Sequence, residues 1–229
     1  MFIGHYAPAL LAAALPRAPR LGTLFVAAQL VDFAFFTLAL LNIEHLRLVP
    51  GTTAQTSLDL YHMPYTHSLL GTVAFAALWA AGARLAGRPW RETVIGALVV
   101  LSHWPLDWLV HLPDLTIAGQ PPRLGLGLWA DPLIARMLEL TLIAAAFGWF
   151  VSRTRPMRRH STLALAALAT AMLAAQVIDW SAAPPTRIID PIHPSLPLTA
   201  LAAFALLALL ATWVGQTRSF ALGPRLWTL

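Results

Sequence analysis

The stretch ETVIGALVVLSHWPLDWLVHLPD, residues 92–114, combines an apolar run with a regular stripe of ionisable residues. The run has the roughly 20-residue length needed to cross a hydrocarbon core of about 30 Å. It is continuous rather than alternating with period two, so it reads as a helix and not as a barrel strand. Within it, His103, Asp107 and His111 stand at i, i+4 and i+8. At about 100° per residue these positions drift only some 80° around the helix, so all three share one face. A charged group at the centre of a bilayer costs several kcal/mol and persists where it works or is paired. A His and a carboxylate one turn apart can ligate one metal ion. A third group two turns along can reach the same ion, a second ion or a ligand's free nitrogen. The alternative is an interhelical hydrogen-bond network or proton relay without metal. Asp114, just past the helix end, falls about 20° from His103 in projection.

The rest of the chain has the same character. Of its 229 residues, 58% are hydrophobic and 11% charged, against about 25% charged in an ordinary soluble domain. That excludes a water-soluble globule and predicts an all-α, polytopic transmembrane bundle of six to seven helices. Residues 1–229 form one integral membrane domain in this reading, with the motifs in 1–152 and two accessory helices in 153–229. There is no cysteine, so any metal must be held by His, Asp and Glu. Met1 to Leu15 lacks a basic region ahead of its apolar run, which argues against a cleaved signal peptide.

Seven apolar segments are expected, at about 2–15, 22–44, 64–87, 92–112, 131–152, 161–180 and 198–216. The first is short enough to be tilted or re-entrant. The second is followed by a polar Thr- and Ser-rich loop to Tyr61, and the third is opened by Pro64. All 15 basic residues are arginine. One set of connections holds 11 of them: Arg17, Arg20, Arg84, Arg88, Arg91, Arg153, Arg155, Arg158, Arg159, Arg218 and Arg225. The alternate connections hold three, Arg47, Arg123 and Arg187, while Arg136 lies inside the fifth segment. Such asymmetry marks the arginine-rich side as cytoplasmic.

Further candidates are His5, Asp32, Glu44, His62, His67, Asp131 and Glu139. Asp32 lies about 15 Å, and His103 about 15 to 17 Å, from the cytoplasmic starts of their segments, so they stand at matching heights. No basic residue shares the depth of Asp32, which favours a metal or a His as its partner. The helical His residues and nearly all helical carboxylates fall at mid-membrane or on the non-cytoplasmic side, the distribution expected of a polar cavity opening outward. Glu44, near the interface, is open to the bland reading of a solvated group. Asp131 before Pro132 reads first as a helix cap. Gly125-Leu126-Gly127 lacks the rest of a dinucleotide fingerprint, and no phosphate loop or HExxH is present. Trp104, Trp108 and Trp129 are placed to wall the cavity.

Four pieces carry a family resemblance: Phe2-Ile3-Gly4-His5, Gln29-Leu30-Val31-Asp32, Tyr65-Thr66-His67-Ser68, and Leu101-Ser102-His103-Trp104-Pro105-Leu106-Asp107 running on to Asp114. With Gly125 to Trp129 and Glu139, they resemble bacterial inner-membrane proteins described as membrane-bound metal-dependent hydrolases, the YdjM-like group and its permease-like relatives. The ligand pattern is similar to that of zinc-dependent phospholipase C. The resemblance implies His5, Asp32, His67, His103, Asp107 and His111 as ligands of a divalent metal, most simply zinc, with manganese or magnesium as alternatives. It implies hydrolysis of a phosphoester of a lipid or lipid-linked substrate from the periplasmic side of the inner membrane. Glu139 or Asp114 would be the catalytic base, and Trp104 and Trp129 would bind substrate. Where family members carry further acidic and His residues, this chain has Asp32 alone and His62-Met63-Pro64. A transporter or ion-binding permease using the same cluster is the competing expectation, and no nucleic-acid partner is expected.

Overall fold

The computed structural model describes residues 1–220, and Arg225 lies outside them. It is mostly helical. A 3-10 turn over Ile3–His5 leads into α1 (Tyr6–Ala13), then α2 (Leu21–Ala28) and α3 (Leu30–Leu40). A hairpin of β1 (His45–Leu48) and β2 (Leu58–His62) precedes α4 (Leu69–Leu85), α5 (Trp90–Leu101) and α6 (His103–Val110). A two-residue pair, β3 (Leu115–Thr116) and β4 (Arg123–Leu124), leads to α7 (Pro132–Arg153) and β5 (Thr154–Pro156). The last elements are α8 (Ser161–Trp180), α9 (Ser195–Thr217) and β6 (Arg218–Phe220).

Four helical stretches are long and apolar enough to cross a membrane: Trp90–Val110, Pro132–Arg153, Ser161–Trp180 and Ser195–Thr217. The pair α2–α3 makes a fifth if its two halves, bent by 51°, count as one broken span. Large apolar side chains such as Leu78, Leu133, Leu163, Ile178 and Leu209 lie exposed on the outside of the bundle. A water-soluble monomer seldom exposes so much apolar surface, and the pattern is consistent with a membrane protein.

Helix α1 is too short to span, and it does not lie on the surface. Tyr6, Ala7, Ala9, Leu10 and Ala12 are buried, and the helix packs against α7 and α2. Helix α9 crosses α2 closely because Gly22 has no side chain: a Cβ there would run into Thr212 of α9. The main core, with Leu24, Phe25, Val99, Val100, Leu168 and Leu207, is wholly apolar. A second, smaller core joins Phe35, Leu46, Leu60, Met63 and Leu115, with Trp104, Trp108 and Trp129 packed against it. It fastens the β1–β2 hairpin to the helix ends.

Several local expectations change. The polar loop before Tyr61 is the β1–β2 hairpin, with Arg47 opposite Asp59 and joined to it at 2.7 Å. Pro64 does not open α4; Ser68 caps it, its hydroxyl accepting from Gly71 N at 3.0 Å. The fourth segment ends at Val110 rather than at Leu112 and is interrupted at Ser102. Pro105 accounts for the interruption, since it has no N–H to offer the Leu101 carbonyl and its ring crowds it. Asp131 caps α7 as expected, accepting from Leu133 N and Ile134 N.

The two ends of the bundle differ. At one end, the stretch after α7 pairs with the stretch after α9 as the β5–β6 ladder, bringing Arg153, Arg155 and Arg218 together. At the other end, Leu48 bridges to Ile189 and Ser68 to Thr116, so the β1–β2, β3–β4 and α8–α9 connections meet there.

Candidate metal centre

The site is built where helices are irregular. At Gln29 the backbone leaves the α-helical region (φ −106°, ψ 11°) and α2 bends into α3. The bend presents the Ala28 carbonyl to His103 Nδ1, 3.0 Å away. It also sets Asp32, in the first turn of α3, facing the start of α6. The irregular segment before α4 delivers His67, α6 delivers His103 and Asp107, its C-terminal residue His111 follows, and the 3-10 turn delivers His5.

His5, His67, His103, Asp107 and His111 are all buried, and Asp32 is the least enclosed, with a side chain 14% exposed. Asp107 is the hub. Its Oδ1 lies 2.9 Å from His5 Nε2 and 3.3 Å from His111 Nε2. Its Oδ2 lies 3.0 Å from His103 Nε2 and 3.6 Å from His67 Nε2. Asp32 Oδ1 closes the second half, 3.4 Å from His67 Nε2 and 3.5 Å from His103 Nε2. The Met1 nitrogen also lies in this space, 2.9 Å from Asp107 Oδ1. The rings of His5 and His103 stack at 3.8 Å, nearly parallel.

The far nitrogens of three of these rings identify what the near ones can do. His103 Nδ1 faces a carbonyl oxygen, which only accepts, so Nδ1 carries the proton. His111 Nδ1 lies 3.0 Å from Asp114 Oδ1, again an acceptor. The case of His67 takes one more step. Thr66 Oγ1 donates its single proton to Glu44 Oε2 at 2.6 Å, so it accepts from His67 Nδ1 at 2.8 Å. In the neutral imidazoles, then, all three Nε2 atoms are bare lone pairs; those of His67 and His103 face both Asp107 and Asp32, and that of His111 faces Asp107. Lone pair against carboxylate is repulsive, so each approach calls for either a second proton on the ring or a cation between the two. His103 Nε2 is buried without any hydrogen-bond partner despite its 3.0 Å approach to Asp107, which is how a ligand atom aimed at an ion is placed.

Two overlapping groups place one ligand atom per residue within 4.8 Å of one another: His5, His103 and Asp107, and Asp32, His67 and His103. The donor set of imidazole nitrogens and carboxylate oxygens suits a borderline divalent ion, so the cluster can hold a metal. One imidazole lone pair binds one ion, so His103 serves only one position at a time. Asp107, with an oxygen turned to each half, is the group able to bridge two.

The remaining site candidates lie around the cluster. Asp114 touches it through His111. Glu139 is buried on α7, and its Oε1 accepts from the backbone of Phe2 at 2.6 Å and of Gly4 at 3.0 Å. It thereby caps the first helical turn and fixes the residues before His5. Trp129 covers the outer ring face of His111 at 4.2 Å, whereas Trp104 belongs to the small apolar core. His62 is outside the cluster, stacked on His45 across the hairpin at 5.3 Å.

Two residues or stretches named from the sequence contribute in an unexpected way, and a third, Gln176, is not marked in the sequence at all. Glu44 is not a solvated interfacial group; it is fully buried, taking Tyr65 N, Thr66 N and Thr66 Oγ1. Gln176 on α8 accepts from Ile3 N at 3.2 Å and helps to seat the first turn. The Gly125 to Gly127 stretch caps α6: Leu126 N and Gly127 N donate to the carbonyls of Trp108 and His111, each at 2.7 Å. Gly125, at φ 158°, lies so close to the backbone of Leu112 and His111 that a Cβ would overlap both carbonyl oxygens. Compared with models of protein families, with curated proteins and with solved structures, the chain matches none.

Proposed function

We propose that this chain is a metal-dependent hydrolase of a bacterial inner membrane, of the YdjM-like kind, cleaving a phosphoester of a lipid or lipid-linked substrate on the non-cytoplasmic side. The observation that carries the reading is the alignment of three imidazoles. Each has its Nδ1 committed to an acceptor and its Nε2 turned on Asp107, with Asp32 also facing those of His67 and His103. A divalent cation held there, zinc by preference, supplies Lewis acidity and acidifies water.

The protein's own groups have separable tasks in this reading. Asp32, His67, His103 and Asp107 hold one position, and Asp107 with His5 and His111 forms the second half. Thr66, the Ala28 carbonyl and Asp114 keep the imidazoles in the ligating tautomer. Asp114 is partly exposed and borders a cavity, so it is the carboxylate met by water arriving from there and the better candidate for a proton acceptor. Glu139, engaged by two amides, holds the first turn in place.

Two features favour a hydrolase over a permease. Leu24, Phe25, Val99 and Val100 form part of a buried apolar core and supply no ionisable side chain for a path onward from the cluster. The β5–β6 ladder, with Arg155 and Arg218, lies at the opposite end from the connections next to His67, which favours cluster access from the non-cytoplasmic face.

Elemental mass spectrometry on detergent-purified protein tests the metal. Wild type is expected to hold one to two equivalents of zinc or manganese. His103→Ala and Asp107→Ala, confirmed as folded by circular dichroism, should fall below a tenth of that. A phosphoester panel then tests turnover, which Asp107→Ala must abolish. Metal-free wild type purified without chelator, or hydrolysis unchanged in Asp107→Ala, overturns the proposal.

A further inference from the structure

A cavity of about 780 Å³ opens beside the cluster, between the start of α4 and the β3–β4 arm. Its lining is mixed in chemistry. Asp114, Ser68, His62 and Arg123 give it a polar part. Leu70, Ala74 and Leu78 line it along one face of α4. These stand at i, i+4 and i+8, a strip about 12 Å long. Leu70 and Leu78 are 62% and 66% exposed, so no element of the described chain covers the strip.

Charge decides which molecule fits. Arg123 is exposed, and its only bond is a long one of 3.4 Å to the Tyr61 carbonyl; among the described residues no carboxylate pairs with it. Asp114 is the acid in the cavity, and one of its oxygens is committed to His111. An exposed guanidinium lining the same cavity as an imidazole offers the chemistry that receives phosphate. The direction of α4 completes the match. Its start lies at the cluster end and its far end carries Arg84, with Arg88 just beyond it and Arg91 at the start of α5. A lipid whose headgroup sits by Arg123 would lay its chain down the helix toward the bilayer interior, as a lipid of that leaflet must.

We propose that this cavity binds a phosphate-bearing lipid, with the phosphate held by Arg123 and His62 and an acyl or prenyl chain on the Leu70–Ala74–Leu78 strip. The phosphoester then faces Asp114 and the cluster. As a substrate site, this rests on the hydrolase reading; as a lipid site, it does not.

Native mass spectrometry, with elemental analysis of the same preparations, separates the two. The probes are phosphatidic acid, diacylglycerol and glycerol 3-phosphate. Wild type should retain phosphatidic acid. Arg123→Gln should weaken retention by at least tenfold, the loss of one charge-assisted contact. Ala74→Trp, which fills the strip, should also block retention, and both variants should keep wild-type metal content. Phosphatidic acid retained equally by wild type and both variants overturns the proposal, as does equal retention of diacylglycerol, which has the chains but no phosphate. Competition by glycerol 3-phosphate at equal concentration would make the occupant a soluble phosphate and overturn the lipid assignment. Retention of the lipid as expected by a wild type that holds no metal would leave this site standing and remove the hydrolase reading alone.

Discussion

Thr66→Val is the sharpest perturbation of the candidate centre because it changes one atom group and no volume. The Thr66 hydroxyl stands between Glu44 Oε2, 2.6 Å away, and His67 Nδ1, 2.8 Å away. Without it, His67 has no acceptor at Nδ1, and its proton is free to move to Nε2, where Asp32 and Asp107 lie 3.4 and 3.6 Å off. A protonated Nε2 cannot ligate. Loss of such an orienting partner costs about 10- to 100-fold in metal affinity, or about 1.4 to 2.7 kcal/mol. Glu44 keeps both backbone donors on Oε1, so the fold loses two buried bonds, those to Glu44 Oε2 and His67 Nδ1, at about 1 to 3 kcal/mol each. Competition for zinc against a fluorescent chelator, on protein shown to be folded, reads the effect. Thr66→Ser, which restores the hydroxyl, should recover wild-type affinity. Wild-type affinity in Thr66→Val would refute the relay, and a Thr66→Ser variant as weak as Thr66→Val would show that packing rather than the hydroxyl mattered.

Three further outcomes follow from the same geometry. Metal should dissociate on acidification, since protons compete with the ion for the imidazole nitrogens. With two or more His ligands, affinity measured against pH should fall by more than tenfold per unit over the range in which they protonate, and a slope of one or less throughout would exclude them. Glu139→Gln keeps an acceptor for Phe2 N and Gly4 N and should keep metal and thermal stability, whereas Glu139→Ala should lose both in part. A general base in place of a cap would instead show Glu139→Gln inactive with metal intact. Gly125→Ala should cost at least about 1 to 3 kcal/mol of stability, because the new Cβ overlaps two carbonyl oxygens. Thermal unfolding followed by circular dichroism reads it, and an unchanged midpoint would refute the close approach.

Much of the helical framework was legible because apolar length is a local signal. The i, i+4, i+8 stripe on the fourth segment announced His103, Asp107 and His111, and depth alone matched Asp32 with His103. What was not legible depends on contacts remote in the chain. Glu44 is 22 residues from Thr66, and nothing near Glu44 says that a turn will close over it. Glu139 looked like a deep carboxylate in need of a reaction, but its partners are amides 137 and 135 residues away. The β1–β2 hairpin was hidden by its brevity, four and five residues with one irregularity in register. The bend at Gln29 had no marker, since no proline or glycine stands there.

That bend links the fold to the site. A regular helix satisfies its own carbonyls and has none to spare for a buried imidazole. His103 needs an acceptor at Nδ1 deep among apolar side chains, where water is scarce and an unmet N–H is costly. The break between α2 and α3 supplies one from the Ala28 backbone, without a further ionisable residue in the membrane. The break at Ser102, imposed by Pro105, starts α6 at His103 itself. His111 is served differently: it lies past the end of α6, where Asp114 and the Gly125 to Gly127 stretch are in reach. Each imidazole therefore finds its acceptor where helical hydrogen bonding is interrupted or over. On this reasoning the irregular backbone is a condition of the cluster: straightening α2–α3 would leave His103 buried with both nitrogens unpartnered, at a cost that only a different fold could avoid.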